Sequence, residues 1–224
     1  MFSFYNLLLF AHVLLFVYWL GSDVGVFYGV RYILRADLSL ETRRTVMALV
    51  HWIDVFPRIC LVMMVPVGTS LAIVTGLIEV PEAQQTPLML MLWIGGLAWL
   101  TIVLKLYTGT NGALAPVDWT VRIVVMAGFA VAGIASLAGA GPVVEGVNWL
   151  AIKMILYACA IGCGIALRLL GKPFGAAYGQ IMAGNSTPEI EAALSQSMQR
   201  SRKVVILLWL LVATTAYLGV TKAV

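Results

Sequence analysis

The chain has 224 residues, of which 62% belong to the set Ala, Val, Ile, Leu, Met, Phe, Trp, Tyr and Cys and only 11% are charged, and its mean hydropathy is +0.98. Soluble domains average about 45–50% apolar and about 25% charged residues, so a water-soluble globular protein is excluded and an all-α polytopic membrane bundle is expected. The net charge of +4 does not mark a nucleic-acid binder, because the basic residues fall mostly in short connections between apolar runs.

A hydrocarbon core of ~30 Å needs about 20 apolar residues per helix, and runs bounded by charges, Pro or Gly predict six spans. They lie near residues 4 to 31, 45 to 78, 87 to 107, 116 to 139, 147 to 170 and 202 to 222. One transmembrane helical domain over 1–224 is expected. The first run reaches no charge before Asp23, so it lacks the basic start of a cleaved leader and outlasts an ordinary leader core; nothing is expected to be cleaved. On a helix, His12, Trp19 and Asp23 share one stripe flanked by Phe16 and Phe27, and that stripe is expected to face other helices.

The second run carries Pro57 and Pro66, each of which removes a backbone donor, so kinks are expected, and kinked membrane helices often border cavities. His51, Asp54 and Arg58 stand on this run, with Asp54 and Arg58 at the four-residue spacing of a helical ion pair. The fourth run repeats Gly128, Ala132, Ser136 and Ala140 every four residues, a stripe of small side chains expected to admit a close neighbour. The fifth carries Lys153, followed on one stripe by Tyr157, Ala160 and Gly164. Cys60, Cys159 and Cys163 all lie in apolar runs without disulfide spacing and read as packing residues.

Residues 171–201 form the one long connection, and Ser186-Thr187-Pro188-Glu189 has the hydroxyl cap and early Pro of a helix start. An amphipathic helix is expected from about 187 straight into the last span. Alternate connections hold ten Lys and Arg: Arg31, Arg35, Arg43 and Arg44, then Lys105, then Arg168, Lys172, Arg200, Arg202 and Lys203, whereas the opposite side holds Lys222 alone. The bias predicts a cytoplasmic basic side and both termini outside. The implied setting is a bacterial inner membrane crossed several times.

Ionisable side chains at bilayer depth cost several kcal/mol unless paired, solvated or ligated, which makes them functional hypotheses. His12, Asp23, His51, Asp54, Arg58, Arg122 and Lys153 are the set here. The chain's two histidines can each be a satisfied core imidazole or an axial ligand to haem iron. At 1.5 Å per residue His12 lies ~11 Å from the outer edge and His51 ~9 Å from the inner one, which leaves roughly 10 Å between them in depth and disfavours joint ligation of one iron. Lys153 matches the depth of His12: it can snorkel outward, or pair with His12 in a site near the outer leaflet with Tyr157 as a neighbouring hydrogen-bonding group.

These residues resemble the HemJ and CopD superfamily of small membrane proteins, which includes haem-b-containing protoporphyrinogen IX oxidases and copper-resistance membrane proteins. The likeness rests on His12, Trp19-Leu20-Gly21 and Phe27-Tyr28-Gly29-Val30-Arg31 in the first span, on Trp149-Leu150-Ala151-Ile152-Lys153 in the fifth, and on the basic stretch Arg200 to Lys203. It implies that His12 is the iron ligand, Lys153 the functional lysine and Arg31 a partner for a porphyrin propionate. In this chain the interval from Trp to Phe-Tyr is longer than in that pattern, extra spans separate the His and Lys helices, and His51, Asp54 and Arg58 have no counterpart.

The leading expectation is a haem-b-binding membrane redox protein. His12, His51, Arg31 and Arg58 are its candidate cofactor-binding residues, with the two histidines as metal ligands, and Lys153, Asp23 and Tyr157 its candidate catalytic residues. A quinone, a porphyrin or a redox partner subunit would exchange electrons with it in the lipid bilayer, and a homo-oligomer is left open. The alternatives are a copper or small-solute transporter, against which the ten Met form no Met-x-x-Met clusters with His, and a structural membrane subunit.

Overall fold

The computed structural model describes residues 3–223 and contains seven α-helices. They are α1 (Phe4–Ile33), α2 (Leu40–Val74), α3 (Glu82–Tyr107), α4 (Ala115–Leu137), α5 (Asn148–Leu170), α6 (Lys172–Met182) and α7 (Pro188–Thr221), with a single 3-10 turn at Gly112–Leu114. Six helical segments are long and apolar enough to cross a membrane, α6 being the short exception, so the chain is an all-α polytopic bundle. Helix starts follow the caps expected of them: Ser3, Ser39 and Thr187 each accept a backbone N–H from three residues on. As the Thr187-Pro188 signal predicts, α7 runs unbroken from the polar connection into the last span.

Successive spans run antiparallel, so the connections sort to two ends. One carries both described termini and the links α2–α3 and α4–α5, which an isolated antiparallel bridge between Ile78 and Val143 ties together. The other carries the ten connection arginines and lysines and is called here the basic end. Half of the most apolar stretch of α2 and 39% of that of α5 are buried, against 11–17% for the other four spans. These two are therefore the inner helices. Trp19, Leu61, Tyr157, Ala160 and Leu208 meet between them in the main apolar core, which holds α2 and α5 apart rather than in backbone contact.

Glycines set the close crossings. A side chain at Gly29 of α1 would collide with Val50 of α2, and one at Gly133 of α4 would come within 2.7 Å of the Ala151 carbonyl of α5. The Gly128, Ala132, Ser136, Ala140 stripe is not that crossing point: Gly128 has nothing near its missing side chain and both ends of the stripe are exposed. The small-residue pattern continues around α4, and its neighbour chose Gly133 instead.

Residues 171–201 hold more than the one helix expected of them. Helix α6 folds back on the start of α7 through Ala177, Ile181 and Leu194, with Leu34, Phe174 and Ile190 around them. Buried Arg43 at the start of α2 fastens this hairpin to the bundle. Its Nε donates to the Ile33 carbonyl at the end of α1 (2.8 Å) and its fork donates to both oxygens of Glu191 at the start of α7 (2.7 and 2.9 Å).

Candidate functional site

The ionisable side chains fall into two layers. Near the end that carries the termini, the half-buried imidazole of His12 lies against Gly68 of α2, where a side chain would stand 3.3 Å from its Cε1. Its Nδ1 is buried with no hydrogen-bond partner. A neutral imidazole carries one N–H donor and one lone pair, and this edge of the ring satisfies neither. Lys153 of α5 lies within electrostatic reach of His12. Its ammonium stands 5.6 Å from the Trp149 ring centroid and fills the space left by the missing side chain of Gly219 on α7, where a Cβ would lie 2.5 Å from Nζ. The two residues matched in depth by sequence thus do share one layer.

Toward the basic end a cavity of about 150 Å³ is lined by Trp19, Asp23, Asp54, Arg58, Arg122 and Arg168 among others. Asp54 accepts from Nε and Nη2 of Arg58, the helical pair expected of their spacing. Asp23 accepts from the indole N–H of Trp209 at 2.6 Å. Asp118, fully buried, accepts from the Trp99 indole (2.8 Å), from Nε of Arg122 (3.0 Å) and from Arg168 (2.5 Å), so helices α3, α4 and α5 converge on one carboxylate. Tyr157, between the layers, donates to the Leu61 carbonyl, one residue before the Val62 carbonyl that Pro66 deprives of its helical donor. Its ring stands edge-on to Trp19, 6.2 Å between centroids.

A second cavity, about 280 Å³, is lined mainly by apolar residues such as Val26, Met47, Phe174 and Met198, together with His51, Ser201 and Asp54. Asp54 is common to both cavities. His51 is exposed and stacks on Tyr107 of α3 at 4.2 Å, while Arg58 lies over the same ring.

The structure therefore brings His12 and Lys153 into one layer, and Asp23 and Arg58 onto one cavity wall. It does not bring His12 to His51: Gly68, beside His12, lies seventeen residues along α2 from His51, a rise of ~25 Å. Joint ligation of one iron by the two histidines is excluded by that geometry. Arg31 lies at the edge of the bundle, exposed, over the rings of Phe27 and Tyr28 and outside both cavity linings. The cluster that sequence reasoning missed is Asp118, Arg122 and Arg168. The four-residue spacing of the first two was visible, but the arrival of Arg168 from α5 and Trp99 from α3 is a tertiary fact.

Among the described residues no group of three or more His, Cys, Asp or Glu stands close enough to hold a metal ion. The donor chemistry that does fit a metal-bearing cofactor is a single unpartnered imidazole, His12. Comparison of the chain with family models, with curated proteins and with solved structures finds no match.

Proposed function

We propose that this chain is a haem-b-binding redox protein of the bacterial inner membrane, with His12 as the ligand to iron, the basic end facing the cytoplasm and both termini outside. The observation that carries the reading is the buried, unpartnered Nδ1 of His12 between α1 and α2, because an imidazole with no partner for one ring nitrogen has bonding capacity in reserve. When bound, the haem would accept and donate single electrons. His12 fixes its position, and Gly68 leaves room for the imidazole to settle. Lys153 supplies a positive charge in the same layer, placed to favour an anionic substrate or product group there.

Asp23 and Asp54 hold protons, or release them, at carboxylate oxygens on the wall of the charged cavity, and Asp54 also lines the second cavity. Electron exchange with a quinone or a porphyrinogen, or with a partner subunit, is the function this arrangement serves. The same pair of cavities meeting at Asp54 favours a second reading, a small-solute transporter. A copper carrier is not favoured, since the donor groups it needs are dispersed.

The test is the visible spectrum of detergent-purified protein, oxidised and dithionite-reduced, with a pyridine haemochrome assay, on the wild type and on His12→Ala and His51→Ala. The expected result is a b-type spectrum lost in His12→Ala and kept in His51→Ala. A colourless preparation from haem-replete cells overturns the reading, as does a spectrum that survives His12→Ala.

A further inference from the structure

The charged cavity contains more guanidinium than its carboxylates occupy. Arg122 is 3% exposed, and only its Nε has a protein acceptor, Asp118. The Trp99 ring lies 5.5 Å beneath its central carbon, so ring and carboxylate hold the guanidinium plane from two sides. Arg122 lines the cavity, and neither of its Nη groups has a protein acceptor among the described residues. Asp118 serves Arg122 and Arg168 together and already accepts from Trp99, so two cations share one anion. Arg58 spends Nε and Nη2 on Asp54 and keeps Nη1 free. Asp23 is engaged by Trp209.

A rigid, desolvated guanidinium fork with its outer edge unfilled matches the two oxygens of a carboxylate. We propose that this cavity binds the carboxylate of a small monoanion, gripped by the two Nη groups of Arg122 and flanked by Arg168 and Arg58. The inference does not depend on His12 or on haem. The volume of about 150 Å³ compares with ~30 Å³ per liquid water, which leaves room for a carboxylate with a chain of only a few carbons. Asp23 and Asp54 on the same walls repel a second negative charge, so the site selects a monocarboxylate over phosphate or a dicarboxylate. Asp54 also lines the apolar second cavity, which lies against the same carboxylate and offers space for a longer tail.

The experiment is equilibrium dialysis of radiolabelled propionate against the detergent-purified full chain, at ionic strength held constant with sodium chloride. Saturable binding is expected, displaced by acetate and butyrate and not by inorganic phosphate. Arg122→Gln and Ala160→Leu are each expected to weaken it by about tenfold or more. Ala160 is a buried lining residue, so the leucine fills the space without touching a charge and keeps the test decisive if Arg122→Gln fails to fold. Laurate displacing propionate more strongly than butyrate does places the carboxylate on an amphiphile with its tail in the second cavity, and weaker displacement places it on a water-soluble acid. No saturable binding, binding unchanged in Ala160→Leu, or equal displacement by phosphate overturns the proposal.

Discussion

Arg43→Met removes the fastening of the α6–α7 hairpin while keeping an unbranched side chain of similar reach. The guanidinium makes three hydrogen bonds, one to the Ile33 carbonyl and two to Glu191, and is 2% exposed where Glu191 is 17% exposed. Breaking a buried ion pair from one side costs about 3–5 kcal/mol. The lower end applies here, about 3 kcal/mol, because Glu191 keeps the Ser186 hydroxyl as a partner and can regain water. If that loss falls on local opening of the hairpin, amide exchange in residues 172–196 should accelerate by roughly a hundredfold, read by hydrogen exchange and mass spectrometry in detergent. The pair also sets a pH dependence. The Arg43 fork, against an opposing effect of burial, holds the Glu191 carboxyl below its ordinary value of 4.5. Its folded value lies below its unfolded one, so its contribution is complete above about pH 4.5 and is lost as the pH falls through the lower folded value. The wild type should therefore converge on the variant in acid. Acceleration of less than about threefold at neutral pH would refute this account and assign the hairpin to the Ala177, Ile181 and Leu194 cluster alone.

Asp118→Asn should be the most damaging single change in the basic half, by about 4 kcal/mol or more, since it leaves Arg122 and Arg168 without their shared anion; thermal unfolding or detergent-extracted yield reads it, and a loss under about 1 kcal/mol refutes the shared-anion account. Tyr157→Phe should lower stability by about 1 kcal/mol, because the buried hydrogen bond from the hydroxyl to the Leu61 carbonyl is lost, and an unchanged midpoint would show that this bond contributes nothing net. Gly219→Val should push the Lys153 ammonium aside at a cost of about 1 kcal/mol or less, since only the far end of a flexible side chain must yield, and Lys153→Ala in the same chain should recover it. No recovery in the double variant would mean that α7 carries Gly219 for another reason.

The membrane bundle was legible because length and hydropathy act locally: a run of about 20 apolar residues is a span whatever surrounds it. Over the first five spans predicted and observed ends differ by five residues at most, the largest shifts being at the starts of α2 and α3, where Leu40 and Glu82 precede the apolar runs; α7 begins at Pro188, well before the apolar run near 202 but next to the helix start expected at about 187. Helix α6 is not marked in the sequence, where Lys172-Pro173 and the glycines at 175 and 179 are weak helix formers; its apolar face gains from burial only once α7 is there to receive it. The Asp54 and Arg58 pair was readable, since both partners stand on one helix. Arg43 with Glu191, and Arg168 with Asp118, are 148 and 50 residues apart in sequence, and no pattern in the chain marks such pairs. The shared depth of His12 and Lys153 was readable from counting residues inward from two span ends, whereas the empty edge of the imidazole was not.

The two polar layers should respond to mutation with opposite signs. Around the charged cavity three carboxylates have donors: Arg58 for Asp54, Trp209 for Asp23, and three donors for Asp118. Replacing one of those groups leaves its partner stranded. His12 has Nδ1 buried without a partner, and Lys153 makes no hydrogen bond or ion pair to any described residue. A buried polar group without a partner costs about 1–3 kcal/mol, and proteins retain such groups where function requires them. His12→Leu should accordingly raise the stability of ligand-free protein by about 1 kcal/mol, which for a chain of this size is a rise of roughly 2–4 °C in melting midpoint. In protein prepared with haem, His12→Leu should instead forfeit the stabilisation that a bound ligand adds by mass action. A lower midpoint for His12→Leu in the ligand-free state would show that the imidazole is a satisfied structural group, and the case for a site at the Gly68 contact would fall with it.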